Sequence, residues 1–285
     1  GGFEFPNFRG KGQTVSISYQ RGLNANSNST SFGNSYQQSY GSQLNNTSYQ
    51  SFSLSFTEPW LFDTPNLIGG RYFYTERGQE SSYLPFDTQQ QGGAIQFGRR
   101  FKWPDHYFRG SWMIRWSNNK YIADDPVDFN TGFTMDNIEI IEKNGNYSFS
   151  SSGISFTQTI TRDSRNHPEF PTSGSKSIWA STISGGILGG NQDYHKHVLD
   201  FNYFIPIHNK STVSQIFKAG MLGKINSKDD EHSIIPPSAR FIMGGIGIPY
   251  GEMLRGYTEN RVGPYGSTRG GNFMLKYSLE FRLSL

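Results

Sequence analysis

The feature that most constrains the fold of this sequence is strict alternation of apolar and small polar residues, repeated in many segments. In TVSISYQ, for example, Val15 and Ile17 alternate with Ser16 and Ser18. Successive side chains of a β-strand point to opposite faces, so each such segment predicts a strand with one apolar and one polar face. The clearest segments are 14–20, 48–57, 108–117, 153–161, 199–205 and 272–283, and weaker ones lie near 67–76, 93–101, 175–184 and 212–223. The pattern predicts about ten strands.

The composition agrees with two-faced strands and excludes several other classes. Hydrophobic residues make up only 34% of the 285 residues, yet aromatic residues reach 15%, which is too many for a disordered chain. The net charge is +3 without a run of Lys or Arg, so we expect no nucleic-acid partner. There is no cysteine and therefore no disulfide or thiolate metal site. No apolar run is long enough to predict a transmembrane helix.

Three features favour a transmembrane barrel over a soluble β-sandwich, in which strands also alternate. The polar faces carry Ser, Thr, Arg and Lys, which suit a water-filled lumen. Aromatic residues lie at strand ends, as an interfacial girdle requires: Trp60, Phe62, Trp103, Tyr107, Tyr147 and Tyr203. Short connections (60–66, 102–107, 162–174, 207–211) alternate with long ones (24–48, 77–92, 118–146, 224–270). The fold class predicted is therefore an all-β, antiparallel transmembrane β-barrel.

Strands in lipid need every backbone group paired, so an open sheet of this kind would leave two costly edges. The chain opens mid-pattern at GGFEFPNF and stops on the strand-like SLEFRLSL. We therefore expect residues 1–285 to be a partial barrel domain belonging to a longer protein.

Candidate metal ligands and catalytic groups do not form a recognisable constellation. Asp124, Asp125 and Asp128 lack the spacing of a calcium loop. His195 and His197 would share one face of a strand near the external rim, but neither they nor His167 and His208 have a third ligand at a suitable spacing. The polar segment 24–48 is typical of a solvated loop. We expect no enzyme activity, no metal and no cofactor.

Two connections differ from generic turns because proline fixes φ and Asp or Gly supplies the bend. The first, TEPWLFDTPNLIGG (57–70), contains Glu58, Pro59 and Trp60. The second, TRDSRNHPEFPTSGSK (161–176), contains Arg162, Asp163, Arg165, Pro171 and Gly174.

These turns, the LRGY segment in loop 224–270 and the closing GGN…SLEF strand occur in the order found in a known family. On these motifs the chain resembles the BamA-like superfamily of outer-membrane assembly and secretion barrels. Family barrels have sixteen strands and follow periplasmic POTRA repeats. The resemblance implies that this chain holds roughly the third to twelfth strands. It implies that the POTRA domains, the first two strands (except for a remnant at residues 1–6) and the last four strands are absent.

The resemblance also implies a role for loop 224–270, which in the family folds back into the lumen. Arg255 matches the family arginine that meets an acid on the inner wall, and Glu280 of SLEF matches that acid. Alternation independently places Glu280 on the polar face, opposite Leu279 and Phe281. Gly256 would permit a tight bend and Tyr257, often Phe in the family, would pack nearby. We expect an Arg255–Glu280 pair to anchor the loop.

The function that the resemblance implies is that of the central barrel subunit of machinery that folds and inserts β-barrel proteins into the bacterial outer membrane. It involves no bond chemistry. The partners implied are unfolded outer-membrane protein clients, outer-membrane lipids and accessory assembly lipoproteins. Two alternatives remain: a polypeptide secretion pore of the same superfamily, and a passive porin or adhesion barrel.

Overall fold

The computed structural model describes residues 1–24, 47–78, 85–133, 138–208, 210–225, 233–245, 251–258, 262–263 and 270–283. Within these residues the chain forms one antiparallel sheet of twelve strands and no α-helix. The predicted loop 24–48 lies outside the described residues, apart from its ends, which belong to strands. The all-β antiparallel architecture is confirmed.

The strands follow one another along the sheet in sequence order, except that the short β7 pairs only with β8. Their bounds are β1 Gly2–Phe8, β2 Gln13–Asn24, β3 Thr47–Glu58, β4 Asn66–Arg77, β5 Asp87–Arg100, β6 Phe108–Ala123, β7 Ile141–Lys143, β8 Asn146–Asp163, β9 Gly174–Ser184, β10 Tyr194–His208, β11 Ser211–Lys224 and β12 Phe273–Leu283. Short 3-10 turns occupy Leu61–Asp63, Pro126–Thr131, Gly186–Leu188 and Pro237–Ala239.

All the predicted strands are present, and the structure adds β1 and β7. The predicted loop 118–146 is too long, because β6 continues to Ala123 and β8 already begins at Asn146. In this extension Asn118 and Lys120 of β6 face Ser152 and Ser150 of β8. Beyond the lipid band the outward face no longer needs to be apolar, so the alternation that marks a strand disappears although the pairing continues.

The two faces of the sheet differ as the alternation predicts. On the polar face, here called the inner face, Ser16 and Ser18 of β2 form hydroxyl bonds of 2.6 and 2.7 Å with Ser55 and Ser53 of β3. Such cross-strand pairs stabilise a sheet. The opposite, outer face exposes large apolar side chains, which include Ile17, Leu54, Tyr72, Ile95, Ile114, Trp116, Trp179, Leu199, Phe201, Met221, Leu275, Tyr277, Leu279 and Phe281.

The three longest connections, 25–46, 124–145 and 225–272, join strands at one end of the sheet, and the shortest ones, 9–12, 59–65, 101–107 and 209–210, join strands at the other, as in outer-membrane barrels. Of the predicted girdle residues, Trp60, Phe62, Trp103, Tyr107 and Tyr203 are exposed. Tyr147 is different and the prediction for it is wrong. It packs against a buried cluster at the long-loop end, because its position in β8 faces inward with Phe149.

The sheet is open: β1 and β12 form its edges, and within the described residues they do not pair with each other. Two buried clusters lie on its inner face. The first, near the long-loop end, contains Phe86, Tyr121, Ala123, Phe129, Phe133, Phe149, Ile234 and Ile242. The second contains Leu222, Ala239, Phe241 and Met274. In the described part of the chain no helix is long and apolar enough to cross a membrane.

Candidate functional site

Part of the predicted loop 224–270 lies on the inner face of the sheet, and both buried clusters include residues from it. We call residues 233–245 and 251–258 the docked loop. Its backbone is bonded to residues that flank the strands: Phe241 and Gly271, just before β12, exchange two hydrogen bonds of 2.9 and 2.6 Å, and the amide of Ile234 donates to the carbonyl of Asn191 in the β9–β10 connection. Within the loop, the amide of Glu252 donates to the carbonyl of Ile242 at 2.7 Å.

Phe241 is the apolar contact between the docked loop and β10–β12. Its ring packs with Leu222 and Met274, and the ammonium of Lys196 lies 4.6 Å from the ring centroid. A Cβ on Gly220 would lie 2.4 Å from the ring, so this glycine lets the ring approach the backbone of β11. Dispersion, a cation–π contact and backbone bonds together hold this part of the loop.

Glu252 is the polar contact between the docked loop and the same strands. Its Oε1 accepts a hydrogen bond of 3.0 Å from Nζ of Lys276 in β12, and its Oε2 accepts from Nζ of Lys218 in β11. Lys276 also donates to the carbonyl of Met253 at 2.8 Å. Burial raises the pKa of Glu252, but the two ammonium groups outweigh it, so the pKa lies below its ordinary value. One carboxylate thus joins the loop to two strands.

The docked loop also reaches strands on the other side of the sheet. Ile234 and Ile242 pack into the aromatic cluster of β6, β8 and the turn Pro126–Thr131. A Cβ on Gly132 would lie 3.0 Å from Cγ of Pro237, which shows how closely loop and turn approach. The loop therefore crosses the inner face from β12 to β6.

The Arg255–Tyr257 segment forms a turn next to Glu252. The amide of Gly245 donates to the carbonyl of Tyr257 at 3.0 Å, and Gly256 has a φ of +86°, a conformation that favours glycine. No atom of the described residues lies within 4 Å of a Cβ built on Gly256, so the preference for glycine here comes from the backbone angle and not from lack of space. Arg255 and Tyr257 are exposed.

The structure does not bring Arg255 and Glu280 together. Glu280 lies on the inner face of β12, but its Oε2 accepts two hydrogen bonds, of 3.1 and 2.7 Å, from Arg282 on the same strand. Among the described residues Arg255 forms no ion pair. The physical reason is position: Glu280 lies four residues along β12 from Lys276, where the loop is bound, a separation of about 13 Å.

The first of the two unusual turns is closed by a side chain at the end of β3. Glu58 accepts hydrogen bonds from Nε2 of Gln13 at 2.5 Å and from the amide of Trp60 at 3.0 Å. Pro59 then ends the strand, and Trp60 is exposed. Glu58 thus joins β2 to the β3–β4 turn.

The second turn is held by two arginines. Nε of Arg162 donates to Asp105 at 2.9 Å, across to the neighbouring 101–107 turn. Arg165 grips Asp163 with two bonds of 2.9 Å, and the carboxylate raises the pKa of Arg165. Pro171 is buried. Gly174 has a φ of +94° and a Cβ there would lie 2.3 Å from the carbonyl oxygen of Ser164. The predicted residues thus build two linked turns.

The acidic and histidine residues occupy separate places. Asp125 accepts from the amide of Val127 at 2.8 Å and so begins the Pro126–Thr131 turn. Burial, followed by the neighbouring Asp125 and Asp124 carboxylates, raises the pKa of Asp128. His195 and His197 share the outer face near one end of β10, with ring centroids 5.3 Å apart. His208 lies at the other end, and Nδ1 of His167 accepts from the amide of Phe170 in a turn.

Sequence reasoning did not single out the residues whose ion pairs hold the docked loop on the wall, which are Glu252 of the loop and Lys218 and Lys276 of the strands. Alternation does place Lys218 and Lys276 at inward positions of β11 and β12. The signal that was available is that an acid precedes LRGY within the same loop. Alternation does not predict the pairing register of β11 with β12, which places the two lysines opposite each other.

Comparison with known proteins gives the family. Residues 7–285 match the Omp85 superfamily domain. The chain belongs to the Omp85 superfamily. Among solved structures, this Omp85 chain is similar to BamA from Haemophilus ducreyi lacking POTRA domains 1–3, with a TM-score of 0.69 and 17% sequence identity. The match covers 98% of this chain and 49% of that one, so the chain spans about half its length. No curated protein sequence matches.

The family match confirms the resemblance predicted from the turns and the RGY loop. Together the two comparisons identify an outer-membrane β-barrel chain of the Omp85 superfamily.

Proposed function

We propose that this Omp85 chain is part of the central barrel subunit of machinery that folds and inserts β-barrel proteins into the bacterial outer membrane. The observation that supports this best is the docked loop, which Glu252 bonds to Lys218 and Lys276 on the inner face. A passive porin would select solutes by charged side chains in its lumen, whereas here Lys218 and Lys276 are bonded to Glu252 of the docked loop. Similarity in fold to BamA over nearly the whole chain supports insertion.

The proposed activity needs no bond chemistry, only a template. A client strand entering lipid carries unpaired amides and carbonyls, which cost several kcal/mol each in hydrocarbon. An exposed strand edge offers these groups partners through β-augmentation. In the proposed mechanism the first and last strands of the complete barrel pair weakly and open toward lipid, so that client strands add to the freed edge.

The docked loop would support such a gate from inside. It contacts strands from β6 to β12 through buried side chains and the Glu252 ion pairs. A wall braced in this way keeps its shape while a pair of strands elsewhere separates. The partners in this proposal are unfolded outer-membrane proteins, the surrounding lipids and accessory assembly lipoproteins.

Reconstitution of the full-length protein that carries this chain tests the proposal. Liposomes containing it are mixed with an unfolded outer-membrane barrel client, and folded client is measured by protease protection and heat-dependent gel mobility. Faster folding than in empty liposomes is expected. Transfer of a secreted polypeptide without client folding would instead establish the secretion pore of the same superfamily, and passage of small solutes alone would establish a porin.

A further inference from the structure

We propose that Glu252 is a positioning residue that couples docking of the loop to pairing of β11 with β12, because its carboxylate neutralises two lysines opposed across that pair. The inference holds whether the barrel inserts or secretes polypeptides, since loop docking and strand pairing can be measured without a client.

The register of β11 and β12 places two lysines opposite each other. Lys218 and Lys276 are direct partners in the β11–β12 ladder, and both side chains lie on the inner face. Cβ atoms of direct partners lie about 4.5–5.5 Å apart, and like charges at such positions destabilise the strand pair. The lysine side chains are 26% and 14% exposed, so water screens this repulsion only partly.

Glu252 supplies the compensation from the loop. Each of its oxygens binds one of the two ammonium groups. On the wall, Asp200 is the ladder partner of Lys218 between β10 and β11. Asp200 accepts from Asn202 at 2.8 Å, and within the described residues no ion pair joins it to Lys218. Within the described residues, the two lysines therefore take their counter-charge from the loop.

Among the described residues of the docked loop, Glu252 is the only acid, so no other group in them could replace it. Phe241 contacts Lys196 through its ring and carries no charge. Arg240 donates to Oδ1 of Asn272 at 3.3 Å and is itself a cation. If the loop leaves the wall, Lys218 and Lys276 lose both their hydrogen bonds and their counter-charge. Undocking of the loop should therefore always weaken the pairing of β11 with β12.

Cysteine labelling measures docking. The chain has no cysteine, so Ala239→Cys introduces the only one in it, at a loop position that is 5% exposed. In the full-length protein, with any cysteine outside this chain replaced by serine, reaction with a water-soluble maleimide requires the loop to leave the wall. We expect Glu252→Gln to raise the labelling rate at least about tenfold, the change that about 1.4 kcal/mol brings. Glu139→Gln, an exposed acid of another loop, is the matched control and should leave the rate unchanged.

Amide hydrogen exchange measures strand pairing. In Glu252→Gln the amides of β11 and β12 around Lys218 should exchange faster. In Glu252→Gln with Lys276→Met, one of the two opposed charges is gone, so protection of these amides should return although the loop stays undocked. If Glu252→Gln acted through a structural defect unrelated to charge, the amides of β11 and β12 would exchange as fast in the double variant as in Glu252→Gln. Failure of Lys276→Met to restore protection overturns the inference, as does normal labelling and exchange in Glu252→Gln.

An exchange of charges keeps the proposal testable if single variants fold poorly. Glu252→Lys with Lys218→Glu again places one carboxylate between two ammonium groups, with the acid now on β11. Labelling at Ala239→Cys should fall back toward the rate of the parent protein. Labelling as fast as in Glu252→Lys alone would contradict the inference.

Discussion

Lys218 of β11 and Lys276 of β12 lie directly opposite each other on the inner face, and each donates to a different oxygen of Glu252. Opposed like charges are unfavourable in a strand pair unless an anion lies between them. Here the anion belongs to a loop and not to the sheet. The loop is thus part of the electrostatic balance of the wall on which it lies.

The first prediction concerns pH. The two lysines hold the pKa of Glu252 below its ordinary value of 4.5, although burial acts in the opposite direction. For a group whose pKa is lower in the docked state, the stabilisation is complete above 4.5 and is lost as pH falls through the docked pKa. Below pH 4.5 the loop should therefore loosen. Mobility of a spin label at the exposed Met253→Cys measures this loosening.

Controls identify the group that titrates. Glu252→Gln should give a mobile label at all pH values and no transition in this range. The charged groups around Glu252 on the wall and in the loop are Lys196, Asp200, Lys218, Arg240 and Lys276. Because Asp200 is the only other acid in this set, Asp200→Asn should keep the transition. If Asp200→Asn abolishes it, the titrating group is not Glu252.

The second prediction concerns the turn between β8 and β9. Gly174→Ala places a Cβ 2.3 Å from the carbonyl oxygen of Ser164 at a φ of +94°, so both space and backbone angle oppose it. We expect a loss of more than about 1 kcal/mol in the free energy of unfolding. Gly70→Ala is the matched control, since no atom in the described part of the chain lies within 4 Å of a Cβ there. Denaturant midpoints of the two variants should differ; equal midpoints contradict the prediction.

The sequence was sufficient to predict the strands that cross the lipid band, because an apolar outer face requires an apolar side chain at every second residue. It was insufficient where that requirement ends. Asn118 and Lys120 of β6 continue the ladder with polar residues on the outer face, and Asn119 is polar on the inner face, so the pattern there indicates a loop. Tyr147 was wrongly assigned to the girdle because the inward cluster against which it packs is built from distant segments that local sequence does not reveal.

The candidate site was only partly predictable. The return of the loop toward the wall followed from the resemblance, and the position of Glu280 on the inner face followed from parity. The pairing of Glu252 with Lys218 and Lys276 depends on where along β12 the loop is bound, which no local pattern fixes. In the same way, Arg282 lies two residues from Glu280 on the same face of β12, and Glu280 pairs with this nearer cation.

The third prediction concerns Arg162, which links two turns at the short-loop end. Its Nε binds Asp105, and its Nη1 lies 3.2 and 3.3 Å from the hydroxyls of Ser164 and Ser175. Lysine keeps the charge but cannot make this planar set of bonds. In Arg162→Lys the amides of Asp163 and Ser164 should exchange faster with solvent. Arg109→Lys is the control, because Arg109 only approaches Asp163 at 3.9 Å; an equal effect there would show that charge alone matters.

The last prediction separates two partners for Glu280. In the structure Glu280 binds Arg282, whereas the resemblance implies Arg255. Glu280→Arg places two cations two residues apart on one face, and we expect this to speed amide exchange in β12. Arg282→Glu should restore protection, because it returns the pair in reversed order, and Arg255→Glu should not. Restoration by Arg255→Glu instead would show that the Arg255–Tyr257 turn reaches position 280. The docked loop would then contact β12 at two places, near Lys276 and near Glu280. Since Lys276 and Glu280 lie about 13 Å apart on the same face, the two outcomes correspond to clearly different depths of the loop.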